Sequence, residues 1–120
     1  MIELTRSVPV AEHLTRHAVD LVVATHPELP ESPESVKRYV RFGASPRGAQ
    51  ALVLAAKASA LLDGRPNVSA DDLRSVAPAA LRHRLVLGYE AAASGMTADQ
   101  LVQDVLQAVP DPPVGLRGAP

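Results

Sequence analysis

Apolar residues recur along the chain at spacings that suit helices far better than strands. In "VPVAEHLTRHAVDLVVATH", Val10, Leu14, Ala18, Leu21 and Thr25 fall on one stripe at about 100° per residue, which predicts an amphipathic helix over roughly 9–25. "PELPESP" ends it, because proline cannot extend the hydrogen-bond ladder. A short helix over about 33–41 would turn Val36, Tyr39 and Val40 inward, with Gly43 permitting the sharp turn after it. Ser45-Pro46 is a helix-start signal, since the hydroxyl can accept from a free amide and proline lacks the amide that would go unpaired. The helix over 46–62 is apolar nearly all round. Ala49, Leu52, Val53, Ala56 and Ala60 lie on one side, and Leu54 and Leu61 lie on the other among Arg47, Gln50 and Lys57.

Gly64 marks the stop, and "VSADDL" supplies Ser69 as N-cap with Asp72 three residues on, a variant of the capping box. A helix is expected over about 70–76. Pro78 then interrupts the pattern, leaving a second short helix through "PAALRHR" and an extended "LVL" at 85–87. Thr97 and Gln100 form another capping box, and Leu101, Val102, Val105, Leu106 and Val109 give the cleanest helical stripe in the chain. No internal repeat is evident. From about residue 110, "PDPPVGLRGAP" has little to bury and reads as a loose tail.

Composition sharpens this into a mainly α domain. A chain of 120 residues that is 47% hydrophobic can build one core. With only Tyr39, Phe42 and Tyr89 as aromatics, that core must be filled by Leu, Val and Ala, as closely packed helices allow. The formal charge of −1 provides no global field for nucleic acid or anionic membrane, so any anion site must be local. The absence of cysteine excludes disulfides and a thiol nucleophile and is compatible with a reducing cytosol. No run of 18 apolar residues and no signal-like segment occurs, so membrane insertion is not expected.

Few residues suggest chemistry. No P-loop, no Gly-x-Ser-x-Gly and no His-Glu-x-x-His is present. His13, His17 and Asp20 share one side of the first helix and could in principle meet a metal, but partial packing explains the two histidines better. Asp71 and Asp72 sit where a helix dipole prefers acids. Arg82, His83 and Arg84 cluster near a helix end that welcomes cations, with phosphate or nucleic-acid contact as the alternative use. Arg47 differs. It follows Ser45-Pro46 in a first turn, where the dipole disfavours a cation by roughly 0.3–1 kcal/mol. Unless an acid of the same domain pairs with it, free amides plus a guanidinium make a small phosphate site, with Arg41 as a weaker helper.

The ordered series "GASPRGAQALVLAAKASALLDGRPNVSADDLRSVAPAALRHRL" resembles the C-terminal lid of MoxR-type AAA+ ATPases, with the likeness extending over about 8–109. The resemblance implies a small helical bundle with a short two-stranded piece involving Asn67-Val68 and about Leu85–Leu87. It implies that residues 1–7 connect to an AAA+ core holding the P-loop, and that catalytic and metal-binding residues lie there and not in this chain. ATP and Mg2+ would then serve the full-length protein, with neither held stably by this piece. The arginine of the S-P-R segment is the sensor-2 residue, which maps onto Arg47 and the ATP γ-phosphate, in cis or in trans. Relatives often carry arginine after the threonine that closes the first helix, where this chain has His26. Partners implied are the core of the same chain, neighbouring subunits of a hexamer and von Willebrand A-domain proteins, in chaperone-like work in the cytoplasm. The competing reading is an independent helical module that binds protein, or DNA through "PAALRHR".

Overall fold

The computed structural model describes residues 10–110; the expected connector over 1–7, the helix start at residue 9 and the tail after Pro110 lie outside the described residues. In chain order the elements are α1 (Glu12–Val23), α2 (Glu34–Tyr39), β1 (Val40–Phe42), α3 (Pro46–Leu62), α4 (Ala70–Leu81), β2 (Val86–Leu87), α5 (Tyr89–Ser94) and α6 (Ala98–Ala108). The mainly α bundle with a two-stranded ribbon is therefore present. Helix α3 lies at its centre, packing most extensively on α4 and next on α1, while α4 also meets α6. The stripe of α1 faces the core as its spacing requires, with Leu14, Ala18, Leu21 and Thr25 buried and Val10 packed at the edge. Leu101, Val102, Val105 and Leu106 of α6 are likewise buried.

Local signals set most boundaries. Both capping boxes form: Ser69 and Thr97 accept from the amides of Asp72 and Gln100, whose side chains accept in return from the N-cap amides. After α3, Gly64 takes φ 72°, and the chain closes with Gly64 N–H on Leu61 O and Arg65 N–H on Ala60 O. The same closure follows α5, where Gly95 takes φ 74°.

Four expectations are corrected. Helix α2 ends at Tyr39, short of the expected 41, because Tyr39 O accepts from Gly88 N at 2.7 Å and the chain leaves the helix to pair with β2. The ribbon is antiparallel with Val40 opposite Leu87 and Phe42 opposite Val86, so 40–42, and not Asn67-Val68, supplies the second strand. Val68 is buried ahead of the Ser69 cap, serving as an apolar anchor for α4. Pro78 does not split the helix: α4 runs unbroken to Leu81. A proline inside a helix costs about 3 kcal/mol, and full burial of a leucine returns about 1.5–3 kcal/mol; Leu81 and Ala77 are both fully buried. Finally, Leu61, which its spacing put on the side of α3 away from Leu52 and Ala56, is half-buried against the core, and Leu62 is the exposed apolar residue at that end of α3.

Asp72 ties α3 to α4. Its carboxylate is 3% exposed. It accepts from Arg65 Nη1 at 2.6 Å, from Arg65 Nη2, and from Ser69 N at 2.8 Å, with Ser59 Oγ of α3 at 3.4 Å. Burial works to push this carboxyl up, but the Arg65 hydrogen bonds, together with those from Ser69, outweigh it and hold the group below the ordinary carboxylate value. The resulting stability is fully present above the unfolded value of about 3.9 and is lost as pH falls through the lower folded one. Replacing Asp72 by Asn should lower the unfolding free energy by about 2 kcal/mol at neutral pH. The gap to the native chain should shrink below about pH 3.9, and urea unfolding at neutral and acid pH measures both.

Candidate functional site

The chain between α1 and α3 is folded so that backbone meets backbone. Thr25, fully buried just past α1, donates its hydroxyl to Val22 O at 2.6 Å and accepts from Ala44 N at 2.9 Å. His26 Nε2 lies 2.7 Å from Ala44 O; since a carbonyl only accepts, that nitrogen carries the proton and donates. The other ring nitrogen is 3.4 Å from Glu28 Oε2. Gly43 fits here for a reason of space. Its φ is not positive, but a Cβ would stand 2.6 Å from Thr25 O, so no larger residue can pass. The role expected for Gly43 in the turn thus becomes one of close approach, and His26, to which the sequence attached no role, is a tether.

Held in this way, α3 begins with Ser45 at the N-cap and Pro46 in the first turn. The Ser45 hydroxyl makes no capping bond, contrary to expectation; the Ser45 carbonyl instead accepts from Gly48 N at 2.7 Å. The start of α3 is left open to an outside acceptor. Arg47 is exposed at this end and makes no hydrogen bond or ion pair among the described residues. The reading in which an acid of the same domain pairs with it is therefore not met among them.

Between α1 and α3 runs an open groove of about 990 Å³. Val19, Val22, Val23, Val53 and Leu54 supply its apolar part, and Arg47, Lys57, Arg84 and His26 its basic part. Among the described residues no aspartate or glutamate lines it, in a chain where acids outnumber Lys and Arg by 13 to 12. The face carrying Arg47, Gln50, Leu54 and Lys57 thus comes together as their shared side of the helix implied. Arg41 does not join it; it lies over the Phe42 ring on β1, 5.4 Å from the centroid.

Arg84 was not legible as part of this site. It follows α4 and lines the groove beside Gly48, where an added Cβ would lie at ordinary contact distance, 3.7 Å, from Arg84 Cδ. The basic cluster at 82–84, with phosphate contact as one of its readings, is the signal that pointed towards it. The basic cluster divides accordingly, with Arg82 paired to Asp99 at 3.0 Å and Arg84 in the groove, and no separate "PAALRHR" helix forms. The metal-capable trio of α1 is not assembled. His17 is buried, Asp20 is exposed, and among the described residues no three His, Cys, Asp or Glu side chains gather to hold an ion. Among them, too, no helix is long and apolar enough to cross a membrane.

Comparison with known proteins matches residues 33–105 to the AAA lid domain. Over 101 residues, 84% of this chain and 27% of the relative, the sequence is 40% identical to the chaperone MoxR1 of Mycobacterium tuberculosis. It is also 40% identical to the protein MoxR of Methylorubrum extorquens over 77 residues, 62% of this chain and 21% of that protein. A crystal structure of a protein described as an ATPase from Cytophaga hutchinsonii superposes with a TM-score of 0.85 at 32% identity, covering 92% of this chain and 34% of the other. The chain thus spans about a quarter of the length of the curated relatives.

The Thr25 tether is open to direct measurement. Thr25→Val keeps the shape but leaves the buried Ala44 amide without its acceptor, and should cost about 1–3 kcal/mol in urea unfolding.

Proposed function

The chain belongs to the AAA lid domain family, as the lid of a MoxR-type AAA+ ATPase, and from that premise we propose that Arg47 reads the phosphates of ATP and converts nucleotide state into lid position. One observation carries the reading: an exposed arginine with no partner among the described residues stands at an uncapped helix start, in a basic groove whose described lining has no acid. Open amides and a planar guanidinium suit phosphate oxygens, which a carboxylate in the groove would repel.

In the full-length protein, ATP held by the AAA+ core presents its γ-phosphate between core and lid. Arg47 neutralises that charge and draws α3, with the bundle packed on it, towards the core. Once the γ-phosphate is gone, the guanidinium loses its strongest partner and the lid relaxes. The groove fits the phosphate chain and not its metal, since no carboxylate lines it among the described residues. Mg2+ would be ligated on the core, where it offsets phosphate charge. The apolar strip of Val19, Val53 and Leu54 would lie against protein, either the core of the same chain or a neighbouring subunit of a hexamer. By likeness to chaperone MoxR1, the whole protein matures or activates client proteins in the cytoplasm, and the family resemblance gives it von Willebrand A-domain partners.

Arg47→Ala in the full-length protein should reduce ATP turnover about 10- to 100-fold, the loss of one or two charge-assisted hydrogen bonds. The isolated lid should keep its thermal stability within about 0.5 kcal/mol, because the side chain is exposed. Turnover at the wild-type rate would remove Arg47 from this role.

A further inference from the structure

We infer that Arg84 is a second phosphate-contacting residue of the groove, gripping the same polyphosphate chain as Arg47 from a different element of the bundle. The inference rests on the reading of the groove as a phosphate site and adds to it a residue from another element.

Arg84 is exposed at the groove, and its own backbone bond orients it. Its stem passes Gly48 in the first turn of α3, where an added Cβ would lie 3.7 Å from Arg84 Cδ, an ordinary contact. Arg84 Nε donates to Ala80 O at 3.2 Å, and Arg84 N to Leu81 O at 2.9 Å. The first of these bonds fixes the plane of the guanidinium while its two terminal amino groups stay uncommitted: among the described residues no carboxylate pairs with them. The neighbouring Arg82 shows the contrast, since it is neutralised by Asp99.

Two guanidinium groups in one groove, with no acid among its described lining, gain when a multivalent anion lies between them. A phosphate chain is the ligand whose chemistry fits. It is narrow, it carries more than one charge, and its oxygens match the planar fork of arginine better than the point charge of lysine. Because Arg84 follows α4 and Arg47 begins α3, such a ligand would brace the two helices together at one end while Asp72 braces them through Arg65 and Ser59.

The test uses the full-length protein, a fluorescent ATP analogue for affinity and steady-state ATP turnover. Arg84→Ala should weaken binding about tenfold, the loss of one charge-assisted contact, with the melting temperature of the nucleotide-free protein unchanged. Arg84→Lys should recover only part of that loss. The double variant with Arg47→Ala should lose less than the product of the single losses, since both groups hold one ligand. Wild-type affinity for Arg84→Ala alongside impaired Arg47→Ala would overturn this inference and leave the Arg47 reading intact, as would strictly multiplicative losses. Wild-type behaviour in both single variants would overturn the Arg47 reading itself. If Arg84→Ala does not fold, Arg84→Lys carries the decision: a folded protein with several-fold weaker binding supports the contact, and unchanged binding removes it.

Discussion

The hydroxyl of Thr25 determines where the Arg47 end of α3 lies. It is fully buried and used in both directions, donating to the end of α1 and accepting from the turn that begins α3. The bond is possible only because Gly43 lets the two backbones touch, and His26 repeats the tether on the carbonyl of the same residue, Ala44. Everything in the groove follows from that junction. The α1 wall, the open start of α3 and the direction of Arg47 share one fixed point, so the spacing between apolar wall and cation is set by buried polar bonds and not by surface side chains.

A second constraint keeps the opposite end of α3 in register. Asp72 caps α4, accepts from Arg65 after the Gly64 turn and lies beside Ser59 on α3. One carboxylate therefore joins a helix start, a helix stop and a helix face. A buried charge of this sort is tolerated because its acceptor sites are filled; the same group with one partner would be a liability. The bundle is thus pinned by polar contacts near both ends of α3, with an apolar interior between them.

Elements whose cause is local were legible in the sequence. The limits of α3, the boxes at Ser69 and Thr97, the Gly64 stop and the stripes of α1 and α6 need only residues within a turn or two of each other. Arg47 belongs to this class too, because the conflict between its charge and its position is visible within three residues. Two misreadings are cases in which distant contacts prevailed: Pro78 is overridden by the burial of Ala77 and Leu81, and α2 is cut short by pairing with residues near Gly88. Ser45 leaves its cap unused for a local reason, its carbonyl taking the Gly48 amide within the same turn. His26 could not be assigned because it acts on a backbone segment far along the chain, and Arg84 because its place in the groove depends on how α4 packs against α3. The family resemblance, carried by the order of motifs between residues 43 and 85, supplied what periodicity could not.

The core of this domain is made largely of methyl groups. Helix α3 buries Ala49, Ala56 and Ala60, and its main partner α4 buries Ala70 and Ala77. Alanine has no rotamer to change, and small residues let helix axes approach closely, so such an interface has few soft modes through which to yield. A pull delivered at the groove end of α3 is then not dissipated by side chains repacking behind it. It passes to α4 and on to α6 as displacement of the whole body. In the proposed role the domain would work as a stiff lever: its low aromatic content, which in composition looks like a shortage of bulk, would make the motion of one charged end the motion of all of it.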